Sequence, residues 1–150
     1  KKARRDVNPF DLVVGDSTTY DIEEQAFDFS YSCPPYYDLE VYSTDPKDLS
    51  SWATYEQFLQ GITASLAVTY KGLKYGALCV WVVGNFRNEK TGELRHFNGD
   101  TVRAAREVGF KMWDEIIWKG ASPSAVQRAG QFEANRKIVR MHESVLVFKK

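Results

Sequence analysis

Residues 77–83 read Ala-Leu-Cys-Val-Trp-Val-Val, seven apolar side chains in succession. Alternating polarity would mark a strand with one wet face. An unbroken run of this length, with β-branched and aromatic members, predicts a strand covered on both faces, as parallel sheets require. A parallel neighbour needs a crossover connection of roughly a dozen residues or more. The chain supplies one immediately upstream. Thr54-x-x-Gln57 has capping-box spacing, and Phe58, Ile62, Leu66 and Tyr70 follow at intervals of four. That pattern predicts an amphipathic helix over 54–71, stopped near Gly72. Before the helix, residues 28–32 and 10–15 read as short strands bounded by turn residues.

Downstream, Glu89-Lys90-Thr91-Gly92 reads as a turn, and 99–109 as a second helix with Asn98 or Asp100 as its cap and Gly109 near its end. Residues 110–118 form the next predicted strand, 119–141 are irregular, and 145–148 form the core of a last strand within 142–149. No helix separates these last two strands, so they are expected to pair antiparallel at an edge. The expected fold class is α/β, a mostly parallel sheet with 77–83 at its centre and an antiparallel edge pair.

Composition excludes several alternatives. At 150 residues the chain is read as a single domain, 1–150, with 1–9 as a basic arm or the edge of an excised piece. Formal net charge is zero, so attraction to a polyanion has to come from a local patch. The two cysteines and two histidines show no metal-ligand spacing, and no metal is expected. Each cysteine on its own reads as a reduced, buried small hydrophobe, which suits a cytoplasmic protein. The longest apolar run is too short to cross a bilayer.

In open α/β sheets, ligands gather beyond the carboxyl ends of the strands. Three segments reach that edge, each directly after a predicted strand: Asp16-Ser17, Cys33-Pro34-Pro35-Tyr36, and Gly84-Asn85-Phe86-Arg87. The second is the most unusual. Two prolines fix two φ angles and carry no N–H, so the corner is rigid and its carbonyls are left to accept. An aromatic ring directly after them offers a flat face beside those acceptors. Such a corner fits a planar amine, although a Pro-Pro-aromatic sequence can equally be a loop with a packed ring. Between Ile116 and His142 stand Lys119, Arg128, Arg136, Lys137 and Arg140 against one acid, Glu133. In a loop-rich stretch these read as phosphate contacts or as scattered solvated charges.

The Cys33-Pro34-Pro35-Tyr36 segment resembles the Asp/Asn/Ser-Pro-Pro-aromatic motif of DNA amino-methyltransferases. The longer run from Phe10 resembles methylases of phages and other mobile elements. Further matching pieces are Asp38 to Ser43, Asp45 to Ser50, Val82 to Arg87, Gly130-Gln131-Phe132 and His142 to Lys149. The resemblance implies a Rossmann-like methyltransferase sheet that ends in an antiparallel strand pair. It also implies S-adenosylmethionine as cofactor, DNA as partner, and a location in the cytoplasm of a bacterial or phage-infected cell. Methylation of the exocyclic amine of a flipped base is implied, adenine's 6-amino group first and cytosine's 4-amino group second. Restriction–modification is a possible setting. On the same grounds Cys33, Pro34, Pro35 and Tyr36 are the expected catalytic residues, and Asp16 and Ser17 the cofactor contacts. Tyr37, Asn85, Arg87, Lys119, Arg128, Arg136, Lys137 and Arg140 are the expected substrate or DNA contacts.

Two departures matter. Cys33 stands where the motif has Asp, Asn or Ser; a thiol is a weak donor and weak acceptor, so backbone carbonyls must hold the amine. No His or Lys adjoins Cys33 in sequence to lower its pKa, which argues against a thiolate nucleophile. Second, no Gly-x-Gly occurs among the ten glycines, and no ribose-binding acid follows one. The chain is therefore expected to be the target-amine half of a longer methyltransferase, with the cofactor half upstream, or downstream in a permuted order. The competing readings are a non-catalytic nucleic-acid-binding or partner subunit that kept the fold, and an RNA amino-methyltransferase.

Overall fold

A computed structural model describes residues 12–120, 130, 132–134 and 136–150. Its main sheet has four strands: β1 (Phe27–Ser32), β2 (Leu73–Val83), β5 (Lys111–Lys119) and β6 (His142–Lys149), in the order β1-β2-β6-β5. Helix α1 (Tyr55–Gly72) carries the chain from β1 to β2, and the two strands pair parallel, as the crossover demands. A small hairpin of β3 (Phe86–Arg87) and β4 (Leu94–Arg95) follows, then helix α2 (Phe97–Val108). β6 pairs antiparallel with both β2 and β5. The expected mixed sheet, its interior strand β2 and its antiparallel end pair are present. The sheet is not mostly parallel, however: β1–β2 is its one parallel pairing among the described strands, because β6 runs antiparallel to both of its neighbours.

The helices form where the pattern placed them. Thr54 caps α1, its hydroxyl accepting from the Gln57 N–H at 3.2 Å. Phe58, Ile62 and Leu66 are fully buried. At the other end of α1 the Lys150 ammonium donates to the carbonyls of Tyr70 (2.6 Å) and Leu73 (2.7 Å), a cation against the negative end of the helix dipole. α2 ends at Gly109, whose φ of 117° puts it in the left-handed region. The core lies between the two helices and one face of the sheet, where Cys79, Trp81 and Val83 of β2 sit beside Leu146 and Phe148 of β6.

Four other expectations need correction. The strand foreseen at 10–15 is absent over its described part, 12–15. Leu12, Val13 and Val14 are all exposed, and an apolar run with no face buried gains nothing from extending. β2 is not covered on both faces. Its second face, continuous with Tyr31, Val147, Val145 and Ile116 through the strand register, is only partly sheltered. α2 begins at Phe97, and its N-cap is His96, which makes no side-chain cap bond; neither Asn98 nor Asp100 fills that place. Within 119–141, residues 132–134 are helical rather than irregular.

Candidate active site at the carboxyl edge of the sheet

β1 runs out at Ser32, and the two prolines turn the chain across the edge of the sheet. Cys33 is exposed and Pro34 buried. Ser32, Cys33, Pro34 and Pro35 form one wall of a cavity of about 400 Å³, with Asp16 and Ser17 on its lining and Trp81 among the residues that close it. Two of the three segments expected at this edge therefore share one cavity, although the segment before Asp16 is not a strand.

Asp16 and Ser17 are already engaged. One Asp16 carboxylate oxygen accepts from the Thr18 N–H (2.8 Å) and the Thr18 hydroxyl (2.6 Å), and those bonds hold the carboxyl below its usual range. Ser17 shares a 3.0 Å hydrogen bond with Ser65 of α1, which pins the 15–19 loop to the helix. Cys33 is not the buried cysteine its residue type suggested; only Cys79 is. Partial burial, and then the charge of Glu143, push the Cys33 thiol up, away from the thiolate that nucleophilic attack would need.

Tyr36 is half-buried, with its ring braced by two other aromatics. Its ring meets Phe86 and Phe97 at steep angles, each centroid 5.9 Å away. Its hydroxyl donates to Glu143 Oε1 at 3.1 Å, across 107 positions of sequence. Burial first, and Glu143 second, hold the phenol well above its ordinary pKa. Tyr37, an expected substrate contact, is buried instead. It bonds the Ala53 carbonyl at 3.1 Å and lies under the Arg95 guanidinium at 4.7 Å. Arg95 also covers Tyr55 at 4.8 Å and pairs with Asp38 at 2.7 Å, so it clamps the loop after the prolines to α1.

Asn85 and Arg87 have local structural partners. The Asn85 side-chain oxygen accepts from the Asn98 N–H at 2.9 Å, which caps the first turn of α2 from outside. Arg87 donates to the Gly92 carbonyl at 2.9 Å within the hairpin. The expected basic residues are gathered only in part. Lys137 runs past Gly92, and Arg140 is near enough to Arg87 for their charges to repel. Lys119 sits opposite His142 at the end of β5, and Arg136 lies over Phe132 at 5.8 Å. Arg128 lies outside the described residues.

Sequence reasoning missed Glu143 and Arg95. Nothing local marks either one, since each gains its partners only when distant segments meet. Among the described residues no group of His, Cys, Asp and Glu is arranged to hold a metal, and no helix is long and apolar enough to cross a membrane.

Residues 27–150 match the model of a family described as DNA methylase. The fold is similar to that of a protein from Thermus thermophilus described as a DNA modification methylase and solved in complex with S-adenosyl-L-methionine. The likeness covers 91% of this chain and 54% of that one at 25% identity, with a TM-score of 0.66. PvuII DNA methyltransferase, cytosine-N4-specific, is similar over 91% of this chain and 47% of its own, at 18% identity and a TM-score of 0.67. A SAM-dependent methyltransferase from Methanosarcina mazei is similar at 12% identity and a TM-score of 0.53, over 92% of this chain and 66% of that one. The chain spans about half the length of the two DNA-modifying structures. No curated protein sequence matches it.

Proposed function

The chain belongs to the DNA methylase family that residues 27–150 match, and from that premise we propose that it serves methyl transfer from S-adenosylmethionine to the exocyclic amine of a flipped DNA base. Adenine's 6-amino group is the first target and cytosine's 4-amino group the second. One observation carries the reading: the Cys33-Pro34-Pro35 corner and the Asp16-Ser17 loop line one cavity at the carboxyl edge of the sheet. Its volume of about 400 Å³ falls in the range of small-molecule sites. Likeness to a methylase solved with S-adenosyl-L-methionine supports the cofactor.

The residues present fit only part of that cofactor. Asp16 and Ser17 would hold one end, and the Ser32–Pro35 corner would face its methyl group. The 150 residues contain no Gly-x-Gly turn for the remainder. Together with the half-length match, this supports reading the chain as the target-amine half of a longer enzyme. When bound, the cofactor supplies a methyl group already activated on a sulfonium. The protein's task is then mainly orientation. The carbonyls of Cys33 and Pro34 accept from the amine, and Tyr36 provides the wall on which the base rests. The Cys33 thiol, with its pKa raised, is neither base nor nucleophile here. Arg87, Lys119, Arg136, Lys137, Arg140 and the undescribed Arg128 are the proposed phosphate contacts, in the setting of mobile-element or restriction–modification DNA marking.

The test is expression of the full-length protein in a host without endogenous DNA methylation, followed by modification-sensitive sequencing. Methylated adenine or cytosine amines at a defined sequence are expected. DNA binding without any methylation would instead favour a non-catalytic subunit, and modified RNA with unmodified DNA would favour an RNA amino-methyltransferase.

A further inference from the structure

Glu143 has no task in the reading above. It is the second residue of β6, whose antiparallel direction brings its start to the same sheet edge as the ends of β1 and β2. Its carboxylate stands at the rim of the Tyr36 ring, accepting a hydrogen bond from the phenol hydroxyl at 3.1 Å. Gly84, the residue after β2, lies at ordinary contact distance from this pair. A Cβ there would lie 3.5 Å from the Tyr36 hydroxyl and 3.7 Å from Glu143 Cγ. The carboxylate is half-buried and close enough to Cys33 for its charge to act on the thiol.

An exocyclic amine has two N–H groups in one plane. In a site closed to water, an unmatched N–H keeps its full desolvation penalty. At the Pro-Pro corner the carbonyls of Cys33 and Pro34 are neutral acceptors, and the Cys33 thiol accepts only weakly. A carboxylate is a much stronger acceptor, and bonds to an ionised acceptor are roughly twice as strong as neutral ones. It also repels any base that presents a carbonyl oxygen at the same place. We infer that Glu143 determines specificity at this site: held at the rim of Tyr36, its carboxylate accepts a hydrogen from the target amine and turns away bases that carry an oxygen there. This inference rests on the proposed flipped-base site, and it selects adenine and cytosine, which carry an amine where guanine and thymine carry O6 and O4.

The test uses the full-length protein without methyl donor, so that binding is read separately from activity. Two duplexes carry the sequence that methylation mapping defines: one with the target base, the other with an analogue lacking its exocyclic amine (unsubstituted purine in place of adenine). Fluorescence anisotropy gives both affinities. The wild type is expected to prefer the amine-bearing duplex by about 10-fold, as a charge-assisted hydrogen bond implies. Glu143→Ala should abolish the preference, and Glu143→Gln, which keeps the shape and loses the charge, should leave an intermediate one. An Ala variant whose two affinities fall equally, with the ratio intact, would show that Glu143 only props Tyr36, and the inference would be wrong. A wild type that methylates yet shows no preference overturns this inference alone. A wild type that methylates nothing removes the flipped-base reading and this inference with it.

Discussion

Tyr36 puts its ring and its hydroxyl to separate uses. The ring is fixed from the sides by Phe86 and Phe97, and the hydroxyl is fixed at its tip by Glu143. Base–aromatic stacking is worth roughly 1–3 kcal/mol per base by alanine substitution. Tyr36→Ala in the full-length protein should therefore lower the rate of methylation by about one to two orders of magnitude. Cys33→Ser should stay within a few-fold of wild type, because the backbone carbonyls do the accepting. Methyl-incorporation assays on both variants check this, and full activity in Tyr36→Ala would remove the ring from the site. Cys79 carries a different prediction. Burial pushes its thiol up to about 12 from an ordinary value near 9. A folded-state pKa above the unfolded one stabilises the fold below the unfolded value, and that contribution is lost as pH rises through the folded value. Urea unfolding between pH 8 and 11 should show stability falling more steeply in wild type than in Cys79→Ala. The Pro-Pro corner was legible because its consequences are local: two fixed φ angles and two missing donors. Glu143 and Arg95 were not, since an acid and an arginine look like surface charges until the sheet order brings them to an aromatic partner.

Among the elements, α1 was read nearly to the residue, because a Thr-x-x-Gln cap and a four-residue apolar repeat are both written within one stretch of chain. Segment 10–15 misled for the converse reason. Apolar residues make a strand only where a neighbour buries them, and Leu12, Val13 and Val14 have none among the described residues. The short hairpin β3–β4 carries too few residues for a periodic signal. Inside α1, Gly61 sets two effects against each other. Replacing a helical glycine by alanine usually gains about 1 kcal/mol of propensity. At Gly61, however, a Cβ would run into the Leu49 side chain and stand 3.0 Å from the Trp52 ring. Overpacking of this kind costs about 1–3 kcal/mol, and both side chains are held by their own packing against α1. Gly61→Ala should accordingly destabilise the protein, seen as a lower urea midpoint at unchanged slope. A stabilised variant would mean that the loop at 49–52 yields easily.

At the scale of the whole molecule, the helices cover one face of the sheet and leave the other unevenly sheltered. Phe29, Tyr31 and Ile116 lie on that second face, all more than half exposed, in register with Leu78, Val80, Val82, Val145 and Val147. β1 is the outermost strand of the four on its side, so one row of its backbone donors and acceptors has no strand beside it in this sheet. The cavity that would receive the cofactor opens beside that same strand, at Ser32 and Cys33. Several of its polar side chains are already engaged: Asp16 is bonded to Thr18, Ser17 to Ser65, and Thr69 to the Ser65 carbonyl. A ligand entering there must compete with those bonds at one end and finds no glycine-rich turn for its middle. Residues 1–150 alone should therefore bind S-adenosylmethionine weakly, and should self-associate through the β1 edge and the second face. Analytical ultracentrifugation should show sedimentation that rises with concentration. Calorimetric titration should give a dissociation constant well weaker than ~1 μM, the affinity equivalent to about −8 kcal/mol. A value near ~1 μM for a monomeric chain would mean that the cavity lined by Asp16, Ser17 and the Pro-Pro corner holds the whole cofactor by itself.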